Sequence, residues 1–206
     1  VSPWWVNNSS VLSKSDGGTI SGLSVKRVEG KPFTVTEYNH PFPNSFNAEA
    51  YGILGAYASF QDWDAIYGYT YGDGNTNWSI SKLDGFFDID MDPGKWANML
   101  HAALMFRRGD ISAAVSKVTV PITTAQELGL LTGAGPWRLI DAQDAGMPPA
   151  ASLMHRISII AEGGTNPACA LSPADITLPG TGIYTSDTNQ LNWDSSARVL
   201  KIDSPK

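Results

Sequence analysis

Residues 31–44 read KPFTVTEYNHPFPN, and within them a β-prone run ends on a carboxylate. Phe33, Thr34, Val35 and Thr36 are aromatic and β-branched residues that fit a pleated, half-buried surface, so residues 33–37 are expected as a strand. Glu37 closes the run. Tyr38, Asn39 and His40 follow, and Pro41 and Pro43 then make a rigid loop. A strand bound for a core gains nothing from a terminal charge unless that end opens to solvent or to a ligand.

The next residues supply the context. In AEAYGILGAYASF (48–60), Tyr51, Leu54 and Ala58 recur at helical spacing, joined by Ile53 and Tyr57. Asn47 is placed to cap this helix, and two glycines permit close packing. Asp62-Trp63-Asp64 ends it, and AIYGYTY (65–71) reads as a second strand running into the turn GDGN. Strand, helix and strand in this order fit a parallel βαβ unit, whose crossover needs about a dozen residues or more. In such folds ligands lie at the carboxyl ends of the strands. Glu37 is then a candidate nucleophile or general acid/base, with Tyr38 as a possible hydrogen-bonding neighbour. The competing reading is an ordinary solvated glutamate at a strand end.

Elsewhere the signals are structural. Residues 1–20 look irregular, and 19–29 form a short helix ending at Gly30. Asp92 as N-cap and Pro93 at the first helical position open a helix that ends with Arg107, Arg108 and Gly109. Its apolar face is expected to hold Trp96, Met99, Leu100, Ala103 and Phe106. Asp88, Asp90 and Asp92 resemble the start of a calcium loop. Pro93 stands where that loop needs glycine and Met99 where it needs glutamate, so a capping, solvated acidic turn is the better reading. Arg108-Gly109-Asp110 is read as a helix terminus, and His101 and His155 as structural. After residue 108 the chain turns to short β-type runs, including a hairpin of QLNW and RVLKID. The expected division is 1–108, followed by a β-rich, sandwich-like segment at 109–206.

The 206 residues carry a net charge of −6 with no basic stripe, which argues against nucleic acid and anionic membrane surfaces as partners. No apolar stretch approaches the roughly 20 residues of a membrane helix, so a soluble chain is expected. The single cysteine, Cys169, cannot form an internal disulfide, and no cluster with metal-ligand spacing is evident. No cofactor is expected. Seven Trp and seven Tyr are the informative part of the composition. Trp96 and Trp137 are assigned to the core by ordinary burial preferences. Trp4, Trp5, Tyr69, Tyr71 and Trp78 lie beside Gly, Asn and Asp, where flat rings can carry sugar faces.

The segments FTVTEYNHPFPN and QDWDAIYGYTY, with the helix end ALMFRRGD, resemble the seventh strand, seventh helix and eighth strand of a clan A (β/α)8 glycoside hydrolase. The resemblance is closest to large bacterial and metagenomic proteins of that kind and runs over roughly residues 1–110. It implies an α/β fold, the C-terminal portion of a TIM barrel, and retaining hydrolysis of β-linked carbohydrate. By the same resemblance Glu37 is the nucleophile and Asn39 and His40 line the cleft. Tyr69, Tyr71 or Trp78 would lie under the sugar. A bacterial secreted or periplasmic setting is compatible with it.

A retaining enzyme needs two carboxyl groups about 5–5.5 Å apart, and the strand-four acid of the clan has no counterpart here. Glu49 and Asp73 are the nearby carboxylates. The resemblance therefore implies a completing partner, either an N-terminal barrel fragment or further copies of the chain. The alternative is a non-catalytic carbohydrate-binding or structural fragment.

Overall fold

The computed structural model describes residues 5–72, 79, 81–83, 85–134 and 140–206. Trp4, Asp73, Trp78 and Trp137 lie outside them. The architecture is mixed α/β: α1 (Gly18–Ser24), β1 (Thr34–Tyr38), α2 (Glu49–Phe60), β2 (Ala65–Gly68), α3 (Pro93–Arg108), β3 (Lys117–Ile122), α4 (Thr124–Ala134), β4 (Arg156–Ala161), β5 (Ile183–Thr185), β6 (Leu191–Asp194) and β7 (Val199–Ile202). Among the described residues no helix is long and apolar enough to cross a membrane.

The βαβ unit expected from the sequence is present. β1 and β2 pair in parallel, Thr34 opposite Ala65 and Val35 opposite Ile66, with α2 as the crossover. Helix α2 is buried almost all round, from Ala50 and Tyr51 through Ile53–Ala58 to Phe60. Its first turn lacks the expected cap, because the Asn47 amide donates to Asp92 Oδ2 at 2.5 Å instead. Asp92 also accepts from the backbone N–H groups of Gly94 and Lys95 and so starts α3, with Pro93 next and Gly109 in the left-handed region at the end.

Helix α3 lies against α2 at close range. A β-carbon added at Gly55 would come within 2.8 Å of Ala102 Cβ and 3.0 Å of its backbone, so only glycine admits this approach. The face of α3 turned inward is rotated from the one expected. Lys95 and Ala102 are buried and Met99 and Phe106 half-buried against the core, while Trp96, Leu100 and Ala103 are exposed. Trp96, expected in the core, instead donates its indole N–H to Asp90 O and meets Tyr71 edge-on.

The second half is not a plain β-sandwich. β3 and β4 form another parallel pair, in register from Lys117–Arg156 to Ile122–Ala161, joined through a connection that contains α4. Val28 adds a parallel bridge to Ile159, so the segment after α1 borders this sheet. Among the described strands β5, β6 and β7 are the antiparallel ones, and the expected final hairpin is β6–β7. Packing is continuous across residue 108. One cluster holds Tyr57 and Phe60 together with Ile111, Leu153, Tyr184 and Trp193, and the rings of Tyr57 and Trp193 are 5.8 Å apart.

Gln61, fully buried, joins the two halves. Its amide donates to Ser152 O and His155 O, both at 2.7 Å, and accepts from Ile157 N at 2.8 Å. Asp62 follows it in the left-handed region and receives Arg27 at 3.4 Å and Arg156 at 3.0 Å.

Candidate functional site

The carboxyl ends of β1 and β2 define the site, and a register shift in β1 shapes it. Val35 faces Ile66 and Tyr38 faces Gly68, so Thr36 and Glu37 share the single position Tyr67 on the other strand. This is a β-bulge, a device that re-aims side chains. In a regular strand Val35 and Glu37 would share one face. With the extra residue, Val35 and Tyr38 are the buried pair and Glu37 is exposed beside exposed Thr36. The charge is thereby left in solvent, while Val35 and Tyr38 pack into the cluster that holds α2.

The residues after Glu37 point elsewhere. Tyr38 does not orient the carboxylate as expected. It is buried, and its hydroxyl shares a 2.9 Å hydrogen bond with His40 Nε2. Burial pushes the Tyr38 phenol up from its ordinary pKa. His40 does not line a cleft either. It is only 7% exposed, and burial, with a further push from the charge of Lys95, brings its pKa down to about 4.

Asn39 is committed to the neighbouring loop. Its amide donates to Tyr69 O at 2.6 Å and to Phe87 O at 2.5 Å. Tyr69 N in turn donates to Tyr38 O at 3.0 Å, which extends the pairing of the two strands by one rung. The Tyr69–Thr70 peptide is cis. Tyr67, Tyr69 and Tyr71 are exposed; Tyr69 packs edge-on against Phe87 and Tyr71 against Trp96. The structure thus brings Glu37, Asn39 and Tyr69 to one strand end, with Tyr71 two residues further along. Trp5 is exposed on the N-terminal segment, and no hydrogen bond or ring contact with described residues joins it to these strand ends.

Of the two carboxylates considered as partners, Glu49 is occupied as a structural acceptor, receiving Ser10 Oγ at 2.9 Å and Val11 N at 2.6 Å. Asp73 is outside the described residues. The acidic run behaves as a capping turn: Asp92 starts α3, and buried Lys95 lies 4.0 Å from Asp92 Oδ2 and 3.4 Å from Asp88 O. Among the described residues no group of three or more His, Cys, Asp or Glu is arranged to hold a metal ion. His101 Nδ1 donates within its own helix to Ala97 O, and His155 pairs with Asp187 at 3.1 Å.

A concavity of about 640 Å³ lies along β2 between α2 and α3, with a lining that includes Leu54, Ile66, Met99, Ala102 and Phe106. It borders β2 and is apolar apart from Asp64 and Arg107 at its margin, unlike the polar strand ends. No family model, curated protein or solved structure matches the chain.

Proposed function

We propose that this chain carries the nucleophile half of a retaining glycoside hydrolase acting on β-linked carbohydrate, as the C-terminal portion of a (β/α)8 barrel. The observation that carries the reading is the bulge in β1. It turns Glu37 out to solvent at the carboxyl end of a parallel strand while Val35 and Tyr38 pack inward. The exposed tyrosines beside it offer flat apolar surfaces of the kind that sugar rings stack on.

In this reading Glu37 attacks the anomeric carbon as the leaving oxygen is protonated, giving a covalent glycosyl-enzyme that water then hydrolyses. The proton donor is a carboxylic acid supplied from outside this chain, by an N-terminal barrel fragment or another copy. The same partner would complete the β1–β2 sheet, since two parallel strands do not stand alone. The test is turnover of aryl β-glycosides by the completed assembly. Glu37→Gln is expected to abolish glycosyl-enzyme formation with folding intact, and full turnover by that variant overturns the proposal.

A second reading, a non-catalytic carbohydrate-binding fragment, is favoured by the occupation of Glu49 as a structural acceptor. Binding of oligosaccharide without cleavage, in the completed assembly, would select it.

A further inference from the structure

We propose that Asn39 is a positioning residue that latches the aromatic loop after β2 to the strand end bearing Glu37, rather than a residue that touches ligand. Its relevance to carbohydrate rests on the glycosidase reading; the latch itself does not.

The hydrogen bonds define two short returning segments. Thr70 N donates to Phe87 O at 3.2 Å, Ile89 N to Thr70 O at 3.1 Å, and Asp90 N to Tyr71 O at 3.0 Å. Residues 69–71 and 87–90 therefore hold each other; among the described residues their backbone link to β1 itself is the rung from Tyr69 N to Tyr38 O, and Phe42 N, in the loop after β1, donates to Phe86 O at 2.7 Å. Asn39 adds the side-chain bonds that tie both segments to the end of β1. One N–H of its amide goes to each segment, at Tyr69 O and Phe87 O. Both acceptors are carbonyl oxygens, so the nitrogen must face them, and both of its protons are used. An amide with both protons engaged has none to donate to a substrate hydroxyl, and its Oδ1, the acceptor left over, is buried out of reach of solvent. Tyr69, and through the same loop Tyr71, are thus held at a fixed place along the sheet from Glu37.

The substitution that isolates this role is Asn39→Asp. It keeps size and shape but sets carboxylate oxygens against two carbonyl oxygens, replacing two attractions by repulsion. Hydrogen exchange in the wild type and the variant reads the latch directly. Exchange at Thr70, Ile89 and Asp90 is expected to accelerate by about tenfold or more, while Tyr57 and Phe60 in α2 stay unchanged. Equal exchange in both proteins, or uniform acceleration including α2, overturns the latch. Asn39→Ala, which removes the donors without adding charge, should give the same local pattern more weakly.

Titration with cellotetraose, followed by intrinsic fluorescence of the completed assembly, then reads the consequence. The latch predicts an affinity about tenfold weaker in Asn39→Asp at a temperature well below the variant's own Tm. Unchanged affinity despite local loosening overturns the positioning role. If the wild type binds no oligosaccharide while the local exchange pattern holds, the latch is supported and the carbohydrate reading fails.

Discussion

Val35 and Tyr38 occupy the same buried face of β1 although they stand three apart in sequence, because the bulge gives Thr36 and Glu37 one position between them. One extra residue decides which side chain meets the core and which meets the open side. The contrast has a direct thermodynamic signature. Glu37→Gln, an exposed change, should leave unfolding free energy within about 0.5 kcal/mol of the wild type. Tyr38→Phe removes the hydroxyl bonded to buried His40 and should lower it by about 1–2 kcal/mol. Urea unfolding of the two variants checks both, and a larger loss for Glu37→Gln than for Tyr38→Phe would contradict the assignment.

His40 makes stability depend on pH in a definite direction. Its folded pKa is near 4 and its ordinary value near 6.5, so between those values the unfolded chain binds a proton that the folded chain refuses. Stability falls as pH drops from about 6.5 to about 4, by roughly 3 kcal/mol for a shift of this size. His40→Gln should flatten that limb of the stability curve. Asp187 adds a separate loss at lower pH. Burial acts to raise its pKa, but the hydrogen bond from His155 and those from the Ser116 and Val115 N–H groups prevail and hold it below the ordinary carboxylate value. Its contribution is present above that ordinary value and disappears as pH falls through the folded one. Denaturant midpoints at a series of pH values separate the two windows.

Gln61 should be among the most sensitive positions outside the site. Gln61→Leu keeps the volume and removes one acceptor and two donations from the segment 152–157. Leaving those backbone groups buried and unpaired should destabilise the fold by about 3 kcal/mol. Because the amide joins α2 to the second half, loosening of Ile157 and Tyr57 together in hydrogen exchange is the expected companion result.

Gly55→Ala tests the close approach of α2 and α3. Helix propensity alone would favour alanine by roughly 0.5–1 kcal/mol. Here the new methyl group meets Ala102 Cβ at 2.8 Å and its backbone, so a net loss of about 1–3 kcal/mol is expected. A stabilised variant in a calorimetric scan would show that the helices can separate freely.

Local pattern made much of this legible. The β1–α2–β2 unit follows from a β-branched run, a helical run and a second β-prone run, and both ends of α3 follow from Asp92-Pro93 and Arg108-Gly109. The face of α3 was misread because Lys95, a residue normally placed outside, is fully buried with its ammonium near Asp92 and Asp88 O. Helix α4 was missed because Leu128, Leu130 and Leu131 give no one-sided stripe. Its start was nonetheless written in Thr123 and Gln126, whose side chains each accept from the other's backbone N–H. The bulge has no such mark, since no glycine stands at Thr36 or Glu37, so the burial of Tyr38 and His40 is not written in the local pattern. Asn39 and Gln61 act on residues distant in sequence, which local pattern does not reveal.

The most direct test of the central claim is covalent trapping with a 2-deoxy-2-fluoro β-glycoside bearing a dinitrophenolate leaving group. That leaving group departs without protonation, so the experiment interrogates the nucleophile independently of the outside acid. Peptide mapping by mass spectrometry is expected to place the glycosyl adduct on Glu37 in the completed assembly and to find none in Glu37→Gln. An adduct on a different carboxylate, or an equal yield in Glu37→Gln, would contradict the account.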